Sequence, residues 1–213
     1  MNPDQTLAQI AQEVSVCQDC ALHYSRRKSV PGVGPATSEI MFIGEGPGFN
    51  ENEQGLPFVG AAGKFLDELL AQAGLVRADV WIGNVVKCRP PDNRDPLPEE
   101  LAACDRYLER QIAAINPRII VTLGRFSMGK FFPEARISAV HGQMRRCGDR
   151  FIISMFHPAA ALHQAKLKPT ILEDFGLLPV LLEKARSYQT SENPVVKTAE
   201  HKPDETPTQL NLF

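Results

Sequence analysis

No stretch of the 213 residues approaches the roughly eighteen consecutive apolar side chains that a membrane-spanning helix needs. The opening Met1-Asn2-Pro3-Asp4-Gln5 has neither the basic nor the apolar region of a signal peptide, so a cytoplasmic protein is expected. An excess of one charge is also missing. Lys and Arg number 23 against 25 Asp and Glu, which gives no overall support to binding of polyanions. No internal repeat is present, and with 43% hydrophobic and 23% charged residues the chain is neither collagenous, nor wholly disordered, nor a small disulfide-stapled scaffold. One compact domain with a tail, or at most two small units, is the expectation.

What is present alternates. Leu7, Ile10, Ala11 and Val14 recur at helical steps, and Glu39 to Ile43 then reads as a strand running into the turn Gly44-Glu45-Gly46-Pro47-Gly48. After a polar loop, Ala61 to Ala73 has helical spacing with Gly74 as a C-cap. Val80 to Val86 is a second strand, the proline-rich 89–96 a loop, and Pro98 opens a helix towards Ile115. Arg118 to Leu123 and Phe151 to Met155 complete four strands, with helices near Phe126 to Phe132 and after Pro158 and Pro169. The expected fold is therefore α/β: a three-layer α/β/α sandwich around a central, mainly parallel four-stranded sheet. Such sheets bind ligands beyond the carboxyl ends of their strands, which is where Glu45, Asn84 and His157 fall.

Local charge is less even than the total. From Ser187 onward four acids face two lysines, which leaves residues 1–186 formally neutral. Arg125 to Arg150 is a basic stretch, followed by Lys166 and Lys168, and either faces phosphates or is simply solvated.

Cys17 and Cys20 form a C-x2-C pair, Cys88 comes 68 positions later, and Cys104 follows after fifteen intervening residues; Cys147 stands apart. In a cytoplasmic setting this pattern favours a four-thiolate metal site over disulfides or packed thiols, because Gln18, Asp19, Lys87 and Arg89 are poor company for an apolar core. Zinc and a [4Fe–4S] cluster both accept four thiolates, and the spacing separates them poorly.

Four segments together, Gly44-Glu45-Gly46-Pro47-Gly48, Gly55-Leu56-Pro57-Phe58-Val59-Gly60, Asn84-Val85-Val86-Lys87-Cys88-Arg89-Pro90-Pro91 and His157-Pro158-Ala159-Ala160-Ala161-Leu162, closely resemble the family 4 uracil-DNA glycosylases over about residues 15–185. The resemblance implies a [4Fe–4S] cluster on Cys17, Cys20, Cys88 and Cys104, and a monofunctional N-glycoside hydrolase that releases uracil from DNA and leaves an abasic site. It implies that Phe58 stacks on the extruded base, that Asn84 reads uracil N3–H and O4, and that His157 donates to O2. Gly46 stands where the better-known uracil glycosylases carry an aspartate. Glu45, then Glu51, are the remaining candidates for stabilising the sugar cation or activating water. Leu162 resembles a wedge for the vacated stack, and Arg89, Arg94, Arg125, Lys166 and Lys168 are candidate phosphate contacts. A non-catalytic iron–sulfur DNA-binding or polymerase-accessory module is the competing reading. A nucleotide-binding enzyme is remote, because no Gly-Lys-Ser/Thr follows the glycine turn.

After Arg186 the composition turns polar, so 187–213 is expected to be a disordered tail. Its end, Gln209-Leu210-Asn211-Leu212-Phe213, resembles the peptide by which bacterial repair proteins dock on the polymerase sliding clamp, with Gln209, Leu210, Leu212 and Phe213 as contacts. The alternative is that these residues fold back on the body. A monomer acting on single- or double-stranded uracil-containing DNA is expected.

Overall fold

The computed structural model describes residues 1–191. Helix α1 (Pro3–Val16) forms where apolar residues recur. Asn2 caps it, since its Oδ1 accepts from the Gln5 amide at 2.8 Å while Gln5 Oε1 accepts from the Asn2 amide at 3.1 Å. Along the chain follow β1 (Ile40–Gly44), α2 (Phe49–Gln54), α3 (Ala61–Gln72), β2 (Trp81–Asn84), α4 (Pro98–Ile115), β3 (Ile119–Leu123), α5 (Arg125–Gly129) and α6 (Ile137–Val140). A hairpin of β4 (Gln143–Cys147) and β5 (Arg150–Met155), then α7 (Pro158–His163) and α8 (Lys168–Ser191), complete the described elements.

The sheet is mostly parallel, in the order β2-β1-β3-β5-β4, and helices cover both faces. It holds five strands rather than the four expected. The addition is β4, antiparallel to β5 and largely exposed, whose Gln-Met-Arg-Arg-Cys lacks the apolar alternation that reveals a half-buried strand. The polar loop expected before α3 also contains a short helix, α2, which ends at Gly55 in the left-handed conformation (φ 79°).

Alternate residues of β1, β2, β3 and β5 enter different cores. Phe42, Ile82, Val121 and Ile153 pack with Leu66 and Leu69 of α3 and Phe175 and Leu178 of α8. Met41, Ile43, Trp81, Ile120 and Ile152 pack with Leu108 and Ile112 of α4 on the other side. Burial on both faces is why these strands read as unbroken apolar runs. A third, smaller core joins Ile10 and Val14 of α1 to Leu22, Val86 and Tyr107. No described helix is long and apolar enough to cross a membrane.

Helix α8 runs to Ser191, five residues past Arg186. Gln209, Leu210, Leu212 and Phe213 lie outside the described residues.

Candidate active site

From β1 the chain continues to β2 on one side of the sheet and from β3 to β5 on the other, so a crevice opens at the carboxyl ends of the adjacent β1 and β3. A cleft of about 420 Å³ occupies it, and Glu45, Gly46, Glu51, Phe58, Asn84 and His157 all line it. Residues from four separated segments thus meet as the sequence predicts. Leu162 does not line the cleft. It lies on α7 and is 53% exposed.

Asn84 ends β2 and is 1% exposed. Its Oδ1 is buried without a hydrogen-bond partner among the described residues, which is costly unless a ligand completes it. Gly44 makes room for this arrangement: a Cβ there would stand 2.5 Å from Asn84 Oδ1 and 2.7 Å from Phe58 Cζ.

Phe58 has a φ of 52°, in a region that large side chains seldom adopt. Two neighbours hold the conformation. A Cβ on Gly63 would lie 1.9 Å from the Phe58 carbonyl oxygen, so only glycine fits. Arg77 donates to the carbonyls of Pro57 (2.8 Å) and Phe58 (3.2 Å) and to Asp67 Oδ1 (2.7 Å).

His157 is the N-cap of α7, and its Nδ1 accepts from the Ala159 amide at 3.0 Å. That bond puts the ring proton on Nε2. The residue lines the cleft, yet protein surrounds it densely enough that desolvation pushes its pKa down to about 4, with Glu51 opposing and His163 adding to the shift. Near neutral pH it is an uncharged donor.

The two carboxylates differ. Glu51 Oε1 accepts from the amides of Val59 and Gly60 at 2.9 Å each, and Oε2 from Gly48 at 3.1 Å. It closes α2 onto the Phe58 loop. The Glu45 side chain has no hydrogen bond or ion pair among the described residues. Desolvation, then Asp95, raises its pKa, and Arg125 opposes them.

Asn93, Arg94, Asp95 and His163 also line the cleft and were not singled out from the sequence as pocket residues. Asp92 and Asn93 both have positive φ, and an Asp-Asn pair after two prolines is the signal that could have marked this turn. Much of the expected phosphate-binding charge is already engaged. Arg125 pairs with Asp95, Lys130 with Asp105 and Glu109, and Arg94 grips Glu100 through two bonds of 2.9 and 2.6 Å.

Cys17, Cys20, Cys88 and Cys104 line one nest between α1 and α4. Burial raises the Cys20 and Cys88 thiols and pushes Cys104 up to about 12, so a cation bound among them would favour their thiolates. Lys87 joins the nest to the cleft: its amide donates to Cys104 Sγ at 3.3 Å, and its Nζ donates at 2.7 Å each to the Asn84 carbonyl and to Gln111 Oε1.

The family model of the uracil DNA glycosylase superfamily matches residues 31–176. A type-4 uracil-DNA glycosylase of Archaeoglobus fulgidus is 46% identical over 189 residues, covering 84% of this chain and 95% of the relative. A Thermotoga maritima protein of the same description is 42% identical, covering 84% and 92%. A type-5 uracil-DNA glycosylase of Thermus thermophilus is 36% identical over 116 residues, covering 47% and 52%. With the cleft, the thiol nest and likeness along most of its length in agreement, this chain belongs to the type-4 uracil-DNA glycosylases.

Proposed function

We propose that this cleft hydrolyses the N-glycosidic bond of deoxyuridine in DNA, releasing uracil and leaving an abasic site. The observation that carries the reading is the buried, unpartnered Oδ1 of Asn84 beside the Phe58 ring. Uracil supplies the missing donor through N3–H, and the Asn84 amide can donate in return to O4. Cytosine offers an acceptor at N3 and a donor at its exocyclic amine, so both contacts would clash.

Phe58 stacks on the base extruded from the helix. As the glycosidic bond breaks, charge flows onto the ring, and the Nε2–H of His157 stabilises it at O2. Because the imidazole is neutral, this is hydrogen bonding to an anionic leaving group rather than full protonation. Glu45 faces the resulting sugar cation, where a carboxylate is stabilising even without deprotonating water. Glu51 serves as a positioning residue, since three backbone amides occupy its oxygens. Leu162, exposed on the helix that His157 caps, fills the stack.

The thiol nest fits a [4Fe–4S] cluster on Cys17, Cys20, Cys88 and Cys104. The four thiols lining one nest, together with the likeness to the type-4 relatives, support the cluster reading. The cluster would fasten α1 and the proline loop to the body. The tail would tether a monomeric enzyme to a sliding clamp.

The test is uracil release from single- and double-stranded oligonucleotides, with Asn84→Asp and His157→Ala beside the unaltered chain. Absence of release by the latter would favour an accessory DNA-binding role.

A further inference from the structure

Phe49 and Arg89 form a cation–π pair beside the lining residues Gly48 and Asn93, and the chemistry above leaves it unused. Phe49 opens α2 immediately after Gly48, a lining residue, and is 57% exposed. The Arg89 guanidinium lies 5.5 Å over it. Arg89 Nε also donates at 2.7 Å to Oδ1 of Asn93, another lining residue, and forms no ion pair among the described residues. The pair therefore presents a flat apolar face braced by a cation with no anion to neutralise.

Resting on the functional reading above, we propose that this pair is a subsite for the nucleotide next to the extruded uracil, with Phe49 stacking on its base and Arg89 facing its phosphate. Aromatic faces joined to unpaired guanidinium groups hold nucleic acid strands without reading sequence. Phe49 would support the strand on one side while Leu162 enters the stack from α7.

The chain has one tryptophan, Trp81, which is buried in the sheet, so Phe49→Trp places a reporter ring in the pair. The probe is an oligonucleotide with 2′-fluorinated deoxyuridine, which resists cleavage, and 2-aminopurine on one or the other side of it. We expect Phe49→Trp to bind with near-normal affinity and lose indole emission on saturation. Phe49→Ala should weaken binding about tenfold and abolish quenching of 2-aminopurine on one side of the uracil. Normal affinity of Phe49→Ala, or indole emission that DNA does not change, would overturn the proposal. Uracil release by the unaltered enzyme is scored separately, so failure of the glycosylase reading would show there and not in the fluorescence.

Discussion

The imidazole of His157 lies against the ring of Phe58, with centroids 5.5 Å apart and planes inclined by 24°. One residue caps α7 after the last strand, and the other sits in a strained turn after α2. Their contact brings the proposed surface for the base and the proposed donor for its O2 together in one unit. Gly44, Gly63 and Arg77 fix the Phe58 side, and the Ala159 amide fixes the tautomer on the other. Losing either ring should disturb both functions.

Stability should fall in acid through His157. Its folded pKa of about 4 lies below the unfolded value of about 6.5, so the unfolded chain takes up the proton first. The contribution is complete above about pH 6.5 and is lost as pH drops towards 4, to a limit of about 3 kcal/mol. Measured against His157→Gln, the unaltered chain should lose melting temperature faster between pH 7 and 4. Parallel curves would contradict this.

Gly44→Ala should disable the cleft without straining the backbone. The new methyl group would press on Asn84 Oδ1 and the Phe58 ring together, and neither is free to retreat. We expect kcat/KM for uracil release to drop by about a hundredfold or more, with far-UV circular dichroism retained.

The two glutamates should separate by assay. Glu51→Ala leaves three amides without their acceptor and should cost about 2–3 kcal/mol, read as a lower melting temperature. Glu45→Gln removes a carboxylate that no described group holds, and should lower kcat while melting stays close to normal.

Asn84→Asp should cut uracil release by about a hundredfold, because the donor to O4 is replaced by an acceptor. Equal rates for the two proteins would remove Asn84 from base readout.

Cys104→Ser should abolish the visible absorption of a purified iron–sulfur protein and lower its melting temperature, since the nest links α1 to α4. Deleting residues 209–213 should separately abolish binding to the sliding clamp while sparing activity on short oligonucleotides. Clamp affinity unchanged by the deletion would refute the tether.

Chemistry-bearing segments were legible in the sequence because glycine, proline, asparagine and histidine interrupt apolar strands at their carboxyl ends, where an α/β sheet opens its crevice. Glu45, Asn84 and His157 could be placed on that reasoning alone. The edge strand β4 could not, because exposure lets it carry arginines, and its one signal is Gly148-Asp149 between Cys147 and Arg150. The work of Glu51 was hidden as well. It depends on amides of Val59 and Gly60, which sit eight and nine positions away and meet it only after α2 folds back. Within the basic run 125–150 the ion pairs of Arg125 and Lys130 were hidden too, since their partners Asp95, Asp105 and Glu109 lie in earlier segments.

The same edge strand also guards the molecule. A sheet invites further strands onto any border with free amides and carbonyls, the route by which repair enzymes at high concentration would aggregate. Here one border ends in Arg145 and Arg146, whose like charges repel a second copy laid alongside. The opposite border is shielded where Val33 pairs with Ile82 of β2. Edge-to-edge pairing is thereby disfavoured on both flanks, while the carboxyl ends of the parallel strands open onto the cleft.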